Sequence, residues 1–208
     1  MNNTPPCRTP GLIGAGVLLV LVLVADLITK SAVFTMEHLS QRGLIVQHVN
    51  PGIAWGLFGD WQVAVAMMTV LVIPLLVVAW WFWLRHEGRG LNWAFGGIIG
   101  GALGNGYDRI MAALGRLGTM PAGSPHAGQE IDGVRDFIHV DIGIWPINPW
   151  PTFNVADAAI SIGAVVMMWY MLRSPQSVSS GTSACPDAPK ASDGGGQEQH
   201  REDRSDHP

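Results

Sequence analysis

Four apolar stretches, at residues 11–30, 63–84, 91–113 and 153–172, constrain this chain more than any other feature of it. A helix needs about 20 mainly apolar residues to cross roughly 30 Å of hydrocarbon, and each stretch comes close to that length. Lipid offers no partner to a bare peptide group, so each stretch must satisfy its own backbone as a helix. The chain is therefore expected to be an all-α membrane protein with four transmembrane helices. Composition agrees, since 48% of the 208 residues are hydrophobic and 13% charged, the balance of a chain whose main solvent is lipid. The first stretch follows Arg8 as a secretory signal would, but it is long and no small-x-small cleavage site follows it, so it reads as a retained span.

Four spans return both termini to one side, with the tight turn at 85–90 on that side and the loops 31–62 and 114–152 opposite. Counting positive charges does not orient the chain: Arg8, Arg85, Arg89 and Arg173 stand near the terminal side against Lys30, Arg42, Arg116 and Arg135. Within the first loop, residues 43–49 alternate apolar and polar and run into Asn50-Pro51-Gly52, which predicts a short strand, a bend and a small β element at the membrane surface. Trp55, Trp61, Trp145 and Trp150 suit headgroup level. The Gly/Pro-rich residues 115–133 read as a flexible surface segment whose length changes at little cost. From 174 onward Ser, Gly, Pro and charge predict a disordered tail. A net charge of −4 without a basic stripe argues against a nucleic-acid partner. Cys7 and Cys185 lie in opposite polar ends and read as free thiols, with neither a disulfide framework nor a zinc site.

Against this apolar background the carboxylates need a reason, since each costs about 2.5–3.5 kcal/mol to insert at a span centre. Asp26 and Lys30 have the spacing of a helical ion pair, for which a structural role suffices. Glycines at 96, 97, 100, 101 and 104 set up close helix packing in the third span. That span then presents Asn105, Asp108 and Arg109 at i, i+3 and i+4, an amide, a carboxylate and a guanidinium on one helical face. The fourth span opens with Asn154 as a natural N-cap and Asp157 three residues on, where a capping role alone would explain both. Asp136, about twenty residues earlier and on the same side, makes a second carboxylate available. Two carboxylates held close resist double ionisation, so one keeps a proton while the other can act as base, which is the chemistry of peptide hydrolysis. Other catalytic sets fit poorly: His86-Glu87 lacks the second histidine of a zinc-protease helix, and neither Ser161 nor Ser124 with His126 has the partners of an activated nucleophile.

Five ordered blocks, Asp26-Leu27-Ile28-Thr29-Lys30, Asn50-Pro51-Gly52-Ile53-Ala54-Trp55-Gly56, residues 100–109, residues 134–139 and Phe153-Asn154-Val155-Ala156-Asp157, together resemble lipoprotein signal peptidase, the signal peptidase II family of aspartic peptidases. The resemblance covers roughly residues 11–172. It implies four transmembrane helices with a small periplasmic β cradle, a multi-pass place in the bacterial inner membrane, and both termini, 1–10 and 173–208, in the cytoplasm. It places the catalytic pair at Asp136 and Asp157, matches Asn50, Asn105, Arg109 and Asn154 to positions lining the substrate site, and gives Asp26 and Asp108 supporting places. The implied reaction removes the signal peptide of a prolipoprotein, cutting before a cysteine that carries diacylglycerol. Diacylated prolipoprotein and membrane lipid are then the partners, the acting unit is a monomer, and no cofactor or metal is needed. The stretch 115–133, where the family has a short link, and the long tail depart from the pattern.

Two other classes of function compete with this reading. A small transporter or proton conductor would use Asp26, Asp108, Arg109 and Asp157 as a polar path, but these residues cluster at span ends while the middles of the first two spans are apolar. A structural subunit would leave Asp136 and Asp157 without a purpose.

Overall fold

In the computed structural model, the residues described are 11–37, 39, 43–52, 61–141, 143 and 150–173. The termini 1–10 and 174–208, with both cysteines, Trp55 and Trp145, lie outside them. Four long helices form where the apolar stretches predict them: α1 Leu12–Phe34, α2 Gln62–Ala79, α3 Arg89–Ala113 and α4 Val155–Arg173. The helix α1 runs four residues past the expected end at Lys30, and α2 continues through a π-helical turn, Trp80–Leu84. Asn92, fully buried on α3, fastens that turn: its Oδ1 accepts from Trp80 Nε1 at 2.7 Å and its Nδ2 donates to the Arg85 carbonyl at 2.9 Å.

Three of these helical segments, Leu12–Phe34, Val63–Phe82 and Val155–Arg173, are long and apolar enough to cross a membrane. They carry large apolar side chains outward, among them Ile13, Leu21 and Ile28 on α1, Met67 and Leu71 on α2, and Ile162 and Val165 on α4. The helix α3 differs because its surroundings are protein. It packs against α1, α2 and α4, and it buries most of its residues between Leu91 and Asp108. A Cβ on Gly96 would overlap the Ala15 carbonyl of α1, and one on Gly101 would meet the Ala156 carbonyl of α4 at 2.5 Å, so the small residues set these helix separations.

Two strands, β1 Ile45–Asn50 and β2 Val134–Ile138, pair antiparallel and place His48 opposite Asp136 and Asn50 opposite Val134. The register shifts between Ile45 and His48. The predicted bend follows as an Asx turn, in which Gly52 N–H donates to Asn50 Oδ1 at 3.1 Å. Gly133 is required where the strands meet, since a Cβ there would overlap the Asn50 carbonyl. On its other side β2 holds the chain entering α4: Phe153 N–H donates to the Ile138 carbonyl at 3.0 Å and Ile138 N–H returns a bond to the Phe153 carbonyl at 2.8 Å. This clamp carries Asn154 and Asp157 to the strand that bears Asp136.

The segment 115–133 is not the flexible surface chain its composition suggests. Met120 N–H donates to the Gln129 carbonyl at 2.8 Å, Gly128 N–H returns to Met120 at 3.0 Å, and Ile131 N–H donates to Gly118 at 2.9 Å, closing a hairpin-like fold. Met120 and Ile131 are buried in one cluster with Val33, Phe34 and Phe137, so the segment seals the core between α1 and the sheet. Glycine and proline here serve turns, several with positive φ, as at Gly118, Gly123 and Gly128.

Candidate active site

The site grows from one residue, Asn154. It caps α4 through a reciprocal box: Asp157 N–H donates to Asn154 Oδ1 at 2.9 Å and Asn154 N–H donates to Asp157 Oδ2 at 3.2 Å. Its side-chain amide remains available and donates to Asp136 Oδ1 at 2.6 Å and to Asn105 Oδ1 at 3.1 Å. Asn105 in turn donates to Asp157 Oδ1 at 2.7 Å. Two asparagines thus hold Asp136 and Asp157 at the same cavity through neutral hydrogen bonds. Asn50 adds a longer contact, its Nδ2 3.4 Å from Asp136 Oδ2.

The two carboxylates live in different surroundings. Asp136 is only 1% exposed, whereas Asp157 is half-buried at the positive end of α4. Burial, reinforced by the nearby charge of Asp157, pushes the Asp136 carboxyl up to about 7, against the opposing pull of hydrogen bonds from Asn50 and Asn154 and of the Lys30 charge.

A second polar cluster lies directly behind. Lys30, fully buried, reaches Asp26 Oδ2 at 2.7 Å, Asn105 Oδ1 at 2.9 Å and Asp108 Oδ2 at 3.4 Å. Asp26 Oδ1 accepts from Ala156 N–H at 3.0 Å, tying α1 to the start of α4. Asp108 is gripped by Arg135, whose Nη2 donates to Oδ1 at 2.7 Å while its backbone N–H donates to Oδ2 at 3.0 Å. Arg109, the neighbour in sequence, instead donates from Nη2 to the Gly52 carbonyl at 3.0 Å and lies within electrostatic range of Asp157, Asp136 and Asp108. Asn50, Asn105, Arg109, Asp136 and Asp157 line a cavity of about 880 Å³, walled by His48, His139 and Trp150 toward the sheet and by Ile160 and Ser161 on α4. Asn154 is buried beneath it, and Asp26 and Asp108 lie outside its lining.

The geometry is that of two carboxylates in a half-dry cleft at the end of a helix bundle, and comparison with known proteins says which bundle. The sequence pattern of the family described as Signal peptidase (SPase) II matches residues 18–173. The chain belongs to the signal peptidase II family. It is 33% identical to the lipoprotein signal peptidase of Chlorobium phaeobacteroides over 166 residues, 72% of this chain and 91% of that one. It is 34% identical to the Pseudomonas fluorescens lipoprotein signal peptidase over 173 residues, 76% of this chain and 86% of that one. A solved structure described as a bacterial membrane enzyme superposes with a TM-score of 0.60 over 82% of this chain and all of that one, at 21% identity, which speaks for the fold.

Sequence reasoning within this family pattern named the two carboxylates and the asparagines that hold them, and missed Arg135, the cation that grips Asp108. Lys30 pairs with Asp26 as its spacing predicts, and it also reaches α3. Arg135 carried no such signal: it meets Asp108 only through the packing of β2 on α3.

Proposed function

We propose that this chain removes signal peptides from prolipoproteins as an aspartic endopeptidase whose catalytic pair is Asp136 and Asp157. The observation that carries the assignment is the pair of hydrogen bonds donated by Asn154, from its side-chain amide to Asp136 and from its backbone N–H to Asp157, which joins both carboxylates at one cavity. Asp157, half-buried at the α4 N-terminus and bonded by Asn105, serves as the base. Asp136, raised to about 7 by burial and by its partner, is the protonated member.

Asp157 takes a proton from water, the resulting hydroxide adds to the scissile carbonyl, and Asp136 gives its proton to the carbonyl oxygen, forming a tetrahedral diol. Asp157 then hands its proton to the leaving amine of the cysteine while Asp136 recovers one from the diol. The C–N bond breaks to a carboxylic acid and a free amino terminus, and the pair returns to its starting state. Arg109 Nε, buried and without a hydrogen-bond partner among the described residues, is the donor assigned to a substrate carbonyl.

All four long helices, α3 included, cross the bacterial inner membrane in this reading, with loops 31–62 and 114–152 in the periplasm and both termini in the cytoplasm. The helix α3 crosses inside a jacket of the other three, which is why it tolerates glycine and polar residues. The diacylglyceryl chains stay in lipid beside Ile160 and hold the scissile bond at the cleft, replacing a three-dimensional encounter by a local one. The test is the purified, lipid-reconstituted chain incubated with a diacylated prolipoprotein and its unacylated twin. Mass spectrometry should find a new N-terminal cysteine on the acylated substrate alone; equal cleavage of both would refute the anchoring.

A further inference from the structure

A second cavity, of about 400 Å³, adjoins the active-site cleft and shares with it the wall of His48, Val49, Pro51, His139 and Thr152. Its far wall is the segment 115–133, which contributes His126, Gln129, Glu130 and Asp132. No residue of the four long helices lines it. It begins one cross-strand pair from the dyad, because His48 lies directly opposite Asp136 in the ladder and directly opposed residues share a face of the sheet.

We propose that this cavity, built by the 115–133 segment, binds the part of the substrate that follows the cleaved bond and prefers basic side chains there. The inference rests on the peptidase reading above. A polypeptide running through the cleft has two ends of opposite chemistry. The signal peptide is apolar and belongs with the helices, on the side of Ile160. The chain after the cysteine is polar, and among the described residues a continuation of the cleft without a helix wall leads over His48 and His139.

The lining indicates what that chain should carry. Glu130 and Asp132 supply two carboxylates, and both residues are exposed at the cavity rim. Burial, with His126 and His139 alongside, holds the His48 imidazole below its ordinary value, so that ring stays neutral near pH 7 and does not offset the carboxylates. The segment is also firm enough to define a wall, since Met120 and Ile131 anchor it in the core.

The test uses the full-length, lipid-reconstituted enzyme and two diacylated substrates, identical except for lysines or glutamates at the residues that follow the cysteine. The wild type should favour the lysine substrate in kcat/KM by about fivefold, the scale of partly exposed charge pairs, and the preference should weaken with salt. Glu130→Gln with Asp132→Asn should bring the ratio close to one, and Glu130→Lys should reverse it. Each ratio is read within a single enzyme, so a change in overall activity does not mimic it. A wild-type ratio near one, or a preference that survives both variants, would overturn the proposal. Failure of the wild type to cut either substrate would instead overturn the peptidase reading, and this proposal with it.

Discussion

At the scale of single residues, the account turns on two carboxylates made unequal by their surroundings. Asp136 must hold a proton to polarise the carbonyl, so kcat/KM should decline as pH rises through about 7, where that carboxyl ionises. A pH profile still climbing at pH 9 would be incompatible with this role. The same shift has a stability consequence of definite sign. Between the ordinary value of 3.8 and about 7, the folded chain binds more protons at Asp136 than the unfolded chain does. The contribution of this group to stability therefore falls as pH rises through that window, by up to about 1.4 kcal/mol per pH unit. Asp136→Asn removes the titration, so the thermal midpoint of the variant should gain on the wild type between pH 5 and pH 8; a constant difference would show that burial does not raise the group. That Asp136 and Asp157 were candidates was legible in the sequence, because a carboxylate needs a reason in apolar surroundings, and the two do line one cavity. Which of them keeps the proton was not, because that depends on burial and on amide partners from β1, α3 and the α4 cap, which spacing alone does not reveal.

At the scale of elements, hydropathy fixes where the helices run and the glycines fix how close they come. A Cβ on Gly104 would overlap the Asp26 carboxylate that Lys30 holds, so Gly104→Ala should cost about 1–3 kcal/mol by prising α1 from α3, read as a lower thermal midpoint in detergent. An unchanged midpoint would mean the helices have slack there. The strand Ile45–Asn50 was visible as alternation ending in Asn-Pro-Gly, and the α4 start as an Asn-x-x-Asp box. The segment 115–133 was misread, because Gly/Pro composition reports turns and says nothing of whether Met120 and Ile131 between them are buried. Its core role predicts that Met120→Ala or Ile131→Ala destabilises by about 2–5 kcal/mol, whereas a surface segment would lose almost nothing.

At the scale of the whole molecule, the site is also the place where the fold is tied together. Lys30 from α1, Asn105 and Asp108 from α3, Arg135 and Asp136 from β2, Asn154 from the α4 cap and Asp157 from α4 form one bonded set. The set has two halves with different work. Asp108 is fully buried and ion-paired with Arg135 and Lys30, so its loss strands the Arg135 guanidinium while Lys30 keeps Asp26, whereas Asp136 and Asp157 are bonded by neutral amides and can exchange a proton. Arg109 is the neighbour of Asp108 in sequence, but the fold pairs Asp108 with Arg135. The decisive measurement is cleavage of a diacylated prolipoprotein set beside the thermal midpoint at pH 7 for Asp136→Asn, Asp157→Asn and Asp108→Asn. The dyad predicts that the first two lose turnover while keeping a midpoint at or near that of the wild type, and that Asp108→Asn loses about 3–5 kcal/mol of stability. An Asp108→Asn protein that is stable but inactive, beside an Asp136→Asn protein that still cuts, would contradict the account and move the catalytic pair to Asp108 and Asp157.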